Sequence, residues 1–182
     1  MKKVIAIIDC QLLFLSAREE FGPLARLDYV KLKNIFHQDP EDKVDAIIYI
    51  LASPYHTDNQ FLKFLKKNNY IIMRKFAKVD LKGEKKEILF KNKSWTDTMV
   101  WEAMKMLPNY DEIFVVSGNG AFCSVVNAAH DQSKKVTVVA FKNSLQETLK
   151  NLADNVIFLD KEYIFDSTRV QKSKLEPVTY PF

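Results

Sequence analysis

The sequence predicts an α/β chain folded as a three-layer α/β/α sandwich around a mainly parallel central sheet, and three observations carry that prediction. Six short apolar runs are mostly continuous rather than alternating, the pattern of strands buried on both faces. Helical periodicity fills the gaps between them, so strand and helix alternate along the chain. Such alternation builds right-handed βαβ units, which place functional residues at the carboxyl ends of the strands.

Taken in order, the strands are expected at residues 4–8, 46–51, 70–73, 113–116, 136–140 and 156–159. Helices are expected at residues 11–21, 29–36, 58–68, 98–107, 122–129 and 145–153. Thr57 with Gln60, and Ser144 with Glu147, have the spacing of capping boxes at two helix starts. One segment breaks the alternation: "MRKFAKVDLKGEKKEILFKN" contains two short strand-like pieces around Lys82-Gly83 and reads as a basic β-hairpin insertion. After Phe165 the chain turns polar, with two prolines, so residues 1–165 read as one domain and 166–182 as a C-terminal tail.

A chain of 182 residues with 47% apolar content can bury one substantial core. The opening "MKKVIAIIDC" has too short an apolar run for a signal peptide, and Asp9 interrupts it. No segment reaches the roughly 18 apolar residues that cross a bilayer, so a soluble, cytoplasmic protein without a membrane partner is expected. Cys10 and Cys123 stand apart without a CxxC, which argues against a disulfide framework or a zinc site. Gly22, Gly83, Gly118 and Gly120 supply neither a P-loop nor a GxGxxG turn. His37, His56 and His130 stand alone, with no Ser-His-Asp arrangement.

The net charge of +4 is unevenly spread: between Phe61 and Lys93 eleven cations face three acids, an excess of eight, so the rest of the chain is net −4. An excess of that size on neighbouring elements suits a polyanion. Lys75, Lys78, Lys82, Lys85, Lys86 and Lys91 are the candidate contacts to it. Trp95 is a candidate base-stacking residue beside them, whereas Trp101, flanked by Val100 and Met104, reads as core.

Three acids fall at element ends. Asp9 directly follows a buried apolar run, where a carboxylate must be solvated, paired or metal-bound; it can equally cap the helix that follows. Asp97 opens a helix in "KSWTDTMVWEAM", either as a site residue or as the partner of Ser94 in a capping box. Asp154 is either a turn residue or support for the edge of a site. Glu102 lies about 140° around the helix from Asp97, too far to share its target easily. The turn "SGNGAF" places Ser117 and Gly118 as structural turn residues, but its next positions are an amide, Asn119, and a methyl, Ala121.

These residues carry a resemblance. A strand ending in Asp9, "KSWTD", "VVSGNGAF" and "KKVTVVAFKNSLQETLKNLADNVIFL" together resemble the NYN family, also called LabA-like, a branch of the PIN-like nuclease fold, over about residues 3 to 160. The resemblance implies a PIN-like, Rossmann-like sandwich in which clustered aspartates hold magnesium or manganese and activate water to cut RNA. It implies Asp9 and Asp97 as the matching catalytic and metal-site carboxylates; beside them, Asn119 can offer a metal a neutral carbonyl and Asp154 can support the edge of the site. It also implies that the first and fourth strands are neighbours, bringing Cys10 and Cys123 near the Asp9 cleft; no disulfide between them is expected in a reducing cytoplasm.

Two departures weaken the implied activity. The family's Asp-Gly-x-Asn is here Asp9-Cys10-Gln11-Leu12, and its Ser-Gly-Asp-x-Asp-Phe is here Ser117-Gly118-Asn119-Gly120-Ala121-Phe122. Magnesium binds through carboxylates, waters and phosphate, so with two acids lost any Mg or Mn is held weakly. The expectation is therefore a domain that binds RNA or a protein partner with catalysis lost or weakened, a pseudoenzyme. The alternative is an active metal-dependent ribonuclease using Asp9 and Asp97.

Overall fold

The computed structural model describes residues 1–52, 60–76 and 93–165. Six strands, β1 (Lys3–Asp9), β2 (Lys43–Ala52), β3 (Ile71–Phe76), β4 (Glu112–Val116), β5 (Lys135–Phe141) and β6 (Asn155–Leu159), form one sheet in the order β3-β2-β1-β4-β5-β6. Every adjacent pair is parallel. The six expected strands are all present, each within a few residues of its sequence bounds. The expected hairpin insertion and the tail fall outside the described residues, as does Thr57 of the first expected capping box.

Strand alternation divides the core in two. Val4, Ala6 and Ile8 face one layer, where α1 (Cys10–Phe21), α2 (Tyr29–Phe36) and α3 (Gln60–Lys67) supply Leu13, Ala17, Leu32, Phe36, Phe61 and Leu65. Ile5 and Ile7 face the other, covered by α4 (Lys93–Met106), α5 (Cys123–His130) and α6 (Glu147–Leu152) through Trp95, Met99, Ala103, Val125, Val126 and Leu149. Each large side chain so buried contributes about 1.5–3 kcal/mol. This is the α/β/α sandwich expected from the continuous apolar runs.

Local signals set the helix boundaries. Asp28 caps α2 by accepting from the Val30 and Lys31 amides at 3.0 and 3.1 Å. Gly22 ends α1 at φ +100°, where its amide returns to Arg18 O, a conformation that disfavours any side chain. Two expected caps are not used. Ser144 donates instead to Phe141 O at 3.2 Å, and Gln146 stands at the N-cap of α6. Helix α4 already includes Lys93, so Ser94 lies inside it rather than at its cap.

The topology fixes where a site can form. From β1 the chain winds outward through β2 to β3, then returns to the other side of β1 and winds outward through β4 to β6. The strand order therefore reverses between β1 and β4, and the crevice at their carboxyl ends is the place this architecture offers a ligand.

Candidate functional site

Asp9 and the Ser117-Gly118-Asn119-Gly120 turn flank that crevice, since Ile8 pairs with Val116 immediately before them. Asp9 is only 5% exposed, and its carboxylate is already engaged. Oδ1 accepts from the Leu12 amide at 3.1 Å, making Asp9 the N-cap of α1. Oδ2 accepts from the fully buried Ser117 hydroxyl at 3.3 Å. Burial pushes the Asp9 carboxyl above its ordinary range, against the opposing pull of the Leu12 amide and the Ser117 hydroxyl. Of the roles left open by the sequence, the helix cap is the one observed, on a residue that also stands at the crevice.

The turn after β4 is likewise closed on itself. Ser117 Oγ accepts from the Asn119 amide at 3.2 Å, and Asn119 Oδ1 accepts from the Ala121 amide at 2.9 Å. From the loop before α6, Gln146 clamps the turn twice: its amide donates to Gly118 O at 3.0 Å, and its Oε1 accepts from the Gly120 amide at 3.1 Å. The approach is so close that a Cβ on Gly118 would stand 2.1 Å from Ser144 O, which is why this position needs glycine. Gln146 carries no local sequence signal, because its contacts cross 26 residues of chain. Amides that an anion or cofactor would use at such a turn are held by the protein's own side chains.

The remaining acids differ in their surroundings. Asp97 is exposed, roughly opposite the Trp95, Met99 and Ala103 stripe that lies on the sheet. Of the two acids on α4 it is Glu102 that turns inward. Among the described residues, its Oε2 is buried without a hydrogen-bond partner, as are Tyr49 Oη and Trp95 Nε1. Burial first, and then the neighbouring Glu102 carboxylate, push the Tyr49 hydroxyl above its usual range. Tyr49 pairs with Asp9 in register. Asp154 lies at the other edge of the sheet: its Oδ2 accepts from the Val136 amide at 2.7 Å and pairs with His130 Nε2 at 3.0 Å. Val136 is level with Ile113 and hence with Ile5, four residues or roughly 13 Å of strand from Asp9.

Among the described residues, no group of three His, Cys, Asp or Glu side chains could hold a metal ion. The donors at the crevice are one buried carboxylate already accepting two hydrogen bonds, one amide oxygen committed to a cap, and a methyl. That set does not fit a compact divalent cation, which requires several convergent oxygens at short range. The cysteines add nothing to it. Cys10 packs in the α1–α3 layer with its Sγ 3.2 Å from Tyr29 Oη, and burial pushes its thiol up to about 12. Cys123, also free, packs against the opposite layer.

The aromatic residues exchange their expected places. Trp95 is 7% exposed and packs edge-on against Tyr49 with centroids 5.7 Å apart, so its ring is not offered to a base. Trp101, expected in the core, is 58% exposed, because it lies about 240° around α4 from Trp95. Lys75, on the edge strand β3, holds its Nζ 5.5 Å from the Trp95 ring centroid. Lys78, Lys82, Lys85, Lys86 and Lys91 lie outside the described residues.

Comparison with known proteins adds three findings. A family model described as NYN domain matches residues 3–160. A protein of unknown function from Vibrio parahaemolyticus, VPA0982, superposes with a TM-score of 0.73 at 24% identity, covering 90% of this chain and 96% of that one; the likeness is one of fold. An uncharacterized protein of Methanocaldococcus jannaschii, MJ0482, is 31% identical over 67 residues, which span 37% of this chain and 28% of that protein.

Proposed function

This chain belongs to the NYN domain family, and from that premise we propose that it binds single-stranded RNA with catalysis lost or weakened. One observation carries the second half of this reading: the Asp9 carboxylate is buried and spent on the Leu12 amide and Ser117 hydroxyl. Around it the positions that would complete an acidic cluster are Asn119, which caps its own turn, and Ala121. A nuclease of this type needs a cation both to balance phosphate charge and to lower the pKa of the attacking water. Asp9 and Asp97, the two acids proposed from the sequence, are fewer carboxylates than such a cluster uses, and Asp97 is exposed.

RNA binding is supported by family membership and by the excess of eight positive charges between Phe61 and Lys93. Phosphate contacts made by Lys75, Lys78, Lys82, Lys85, Lys86 and Lys91 position a strand without reading its sequence. Binding then falls with salt at a slope of about −0.7 per contacted phosphate.

The test uses a labelled single-stranded RNA with wild-type protein, Asp9→Asn, and a variant carrying Gln at those six lysines. The reading expects salt-sensitive binding by the wild type and Asp9→Asn, a shallower slope for the lysine variant, and intact RNA with manganese present. Manganese-dependent cleavage that Asp9→Asn abolishes would make the protein a metal-dependent ribonuclease instead.

A further inference from the structure

We propose that Trp101 is the stacking platform for one base of the bound strand, with Lys105 taking the adjoining phosphate. This rests on the RNA-binding reading and names its contact surface. The outer face of α4 is the observation behind it. Trp101 leaves 58% of its surface exposed and Met104 leaves 40%, on a helix whose other face is buried against the sheet. Two large apolar side chains three residues apart on one exposed helix face, Trp101 and Met104, form a small surface patch that a ligand can cover.

Lys105, one turn on, holds its Nζ 3.2 Å from the Trp101 ring centroid. With 58% of Trp101 exposed and a cation held at its ring, an aromatic surface for a base stands beside a positive charge for the backbone, the pairing used by single-strand sites. In the sequence, the basic segment from Phe61 to Lys93 runs directly into α4, which begins at Lys93. The carboxylates of an acidic peptide answer the lysine alone, whereas each nucleotide carries a base for the ring and a phosphate for the lysine.

Asp97 adds a direction. It is exposed one turn before Trp101, opposite in sequence sense to Lys105, so the phosphate lies toward the carboxyl end of α4 and away from Asp97. Under this arrangement Asp97 opposes binding mildly, where a metal-site role would make it essential.

Binding of a fluorescein-labelled uridine decamer, measured by anisotropy over a salt series, tests the inference on wild type, Trp101→Ala, Trp101→Phe, Lys105→Gln and Asp97→Asn. Trp101→Ala is expected to weaken binding about tenfold with an unchanged salt slope, and Trp101→Phe to recover much of it. Lys105→Gln should make the slope shallower by about 0.7. Asp97→Asn should tighten binding about twofold. Since Trp95 is buried, the decamer should quench wild-type tryptophan fluorescence but not that of Trp101→Phe. Equal binding by wild type and Trp101→Ala overturns the stacking role and leaves the RNA reading standing. Absence of salt-sensitive binding by the wild type overturns both, and turns the exposed face toward a protein partner.

Discussion

The Ser117 hydroxyl donates to Asp9 Oδ2 at 3.3 Å, joining the ends of two neighbouring parallel strands beneath the crevice where the strand order reverses. The bond gives both residues a structural task. Ser117 also accepts from the Asn119 amide, and Asp9 also caps α1, so one carboxylate and one hydroxyl hold the start of a helix and the shape of a turn.

Asp9→Asn is expected to raise stability at neutral pH. The folded-state pKa of Asp9 is raised by burial above the ordinary 3.8, so its effect favours the fold below that value and is lost as pH rises through the folded pKa. Asparagine keeps the cap on Leu12 without a buried charge. Urea unfolding at pH 7 should place the variant's midpoint above the wild type's, and the gap should close near pH 3. A variant less stable at pH 7 would contradict the burial argument.

Gly118→Ala should cost about 3 kcal/mol, the upper end of overpacking, since the new Cβ meets backbone at Ser144 rather than a movable side chain. Gly120→Ala meets Gln146 Oε1, the end of a flexible side chain, and should cost markedly less. Denaturant melts of the two variants check the order.

Asp154→Ala should leave RNA binding unchanged while costing about 1 kcal/mol through the lost bond from the Val136 amide. The Asp154 pKa is lowered, chiefly by that amide and then by His130, so its contribution is present above the ordinary 3.8 and fades as pH falls through the folded value. Weakened RNA binding at full stability would return Asp154 to the site.

The sheet was legible because each strand is a continuous buried run, and a parallel sheet leaves that mark whatever its neighbours do. The site's frame was legible too, since Asp9 and Ser117-Gly118 fall at strand ends. What the sequence hid depends on helix phase and on distant contacts. Trp95 and Trp101 have similar apolar neighbours, and only the docking of α4 on Tyr49 decides which is buried. The same docking turns Glu102 inward and Asp97 outward. Gln146 reaches its turn from a different loop, and the Ser144–Glu147 spacing imitates a cap that the β5–α6 connection does not use.

The central claim is that the crevice retains the outline of a metal site without its charge. Ala121 is exposed and Asn119 already caps the turn through its oxygen, so Asn119→Asp with Ala121→Asp can rebuild two carboxylates without disturbing the frame. The direct measurement is thermal unfolding of wild type and this double variant with and without manganese. The double variant should start lower, because added like charges repel, and gain about 5–10 °C once manganese reaches a hundredfold its Kd. The wild type should shift by less than about 1 °C at the same concentration. A wild type that gains several degrees with manganese, and cuts single-stranded RNA in an Asp9-dependent way, would contradict the account.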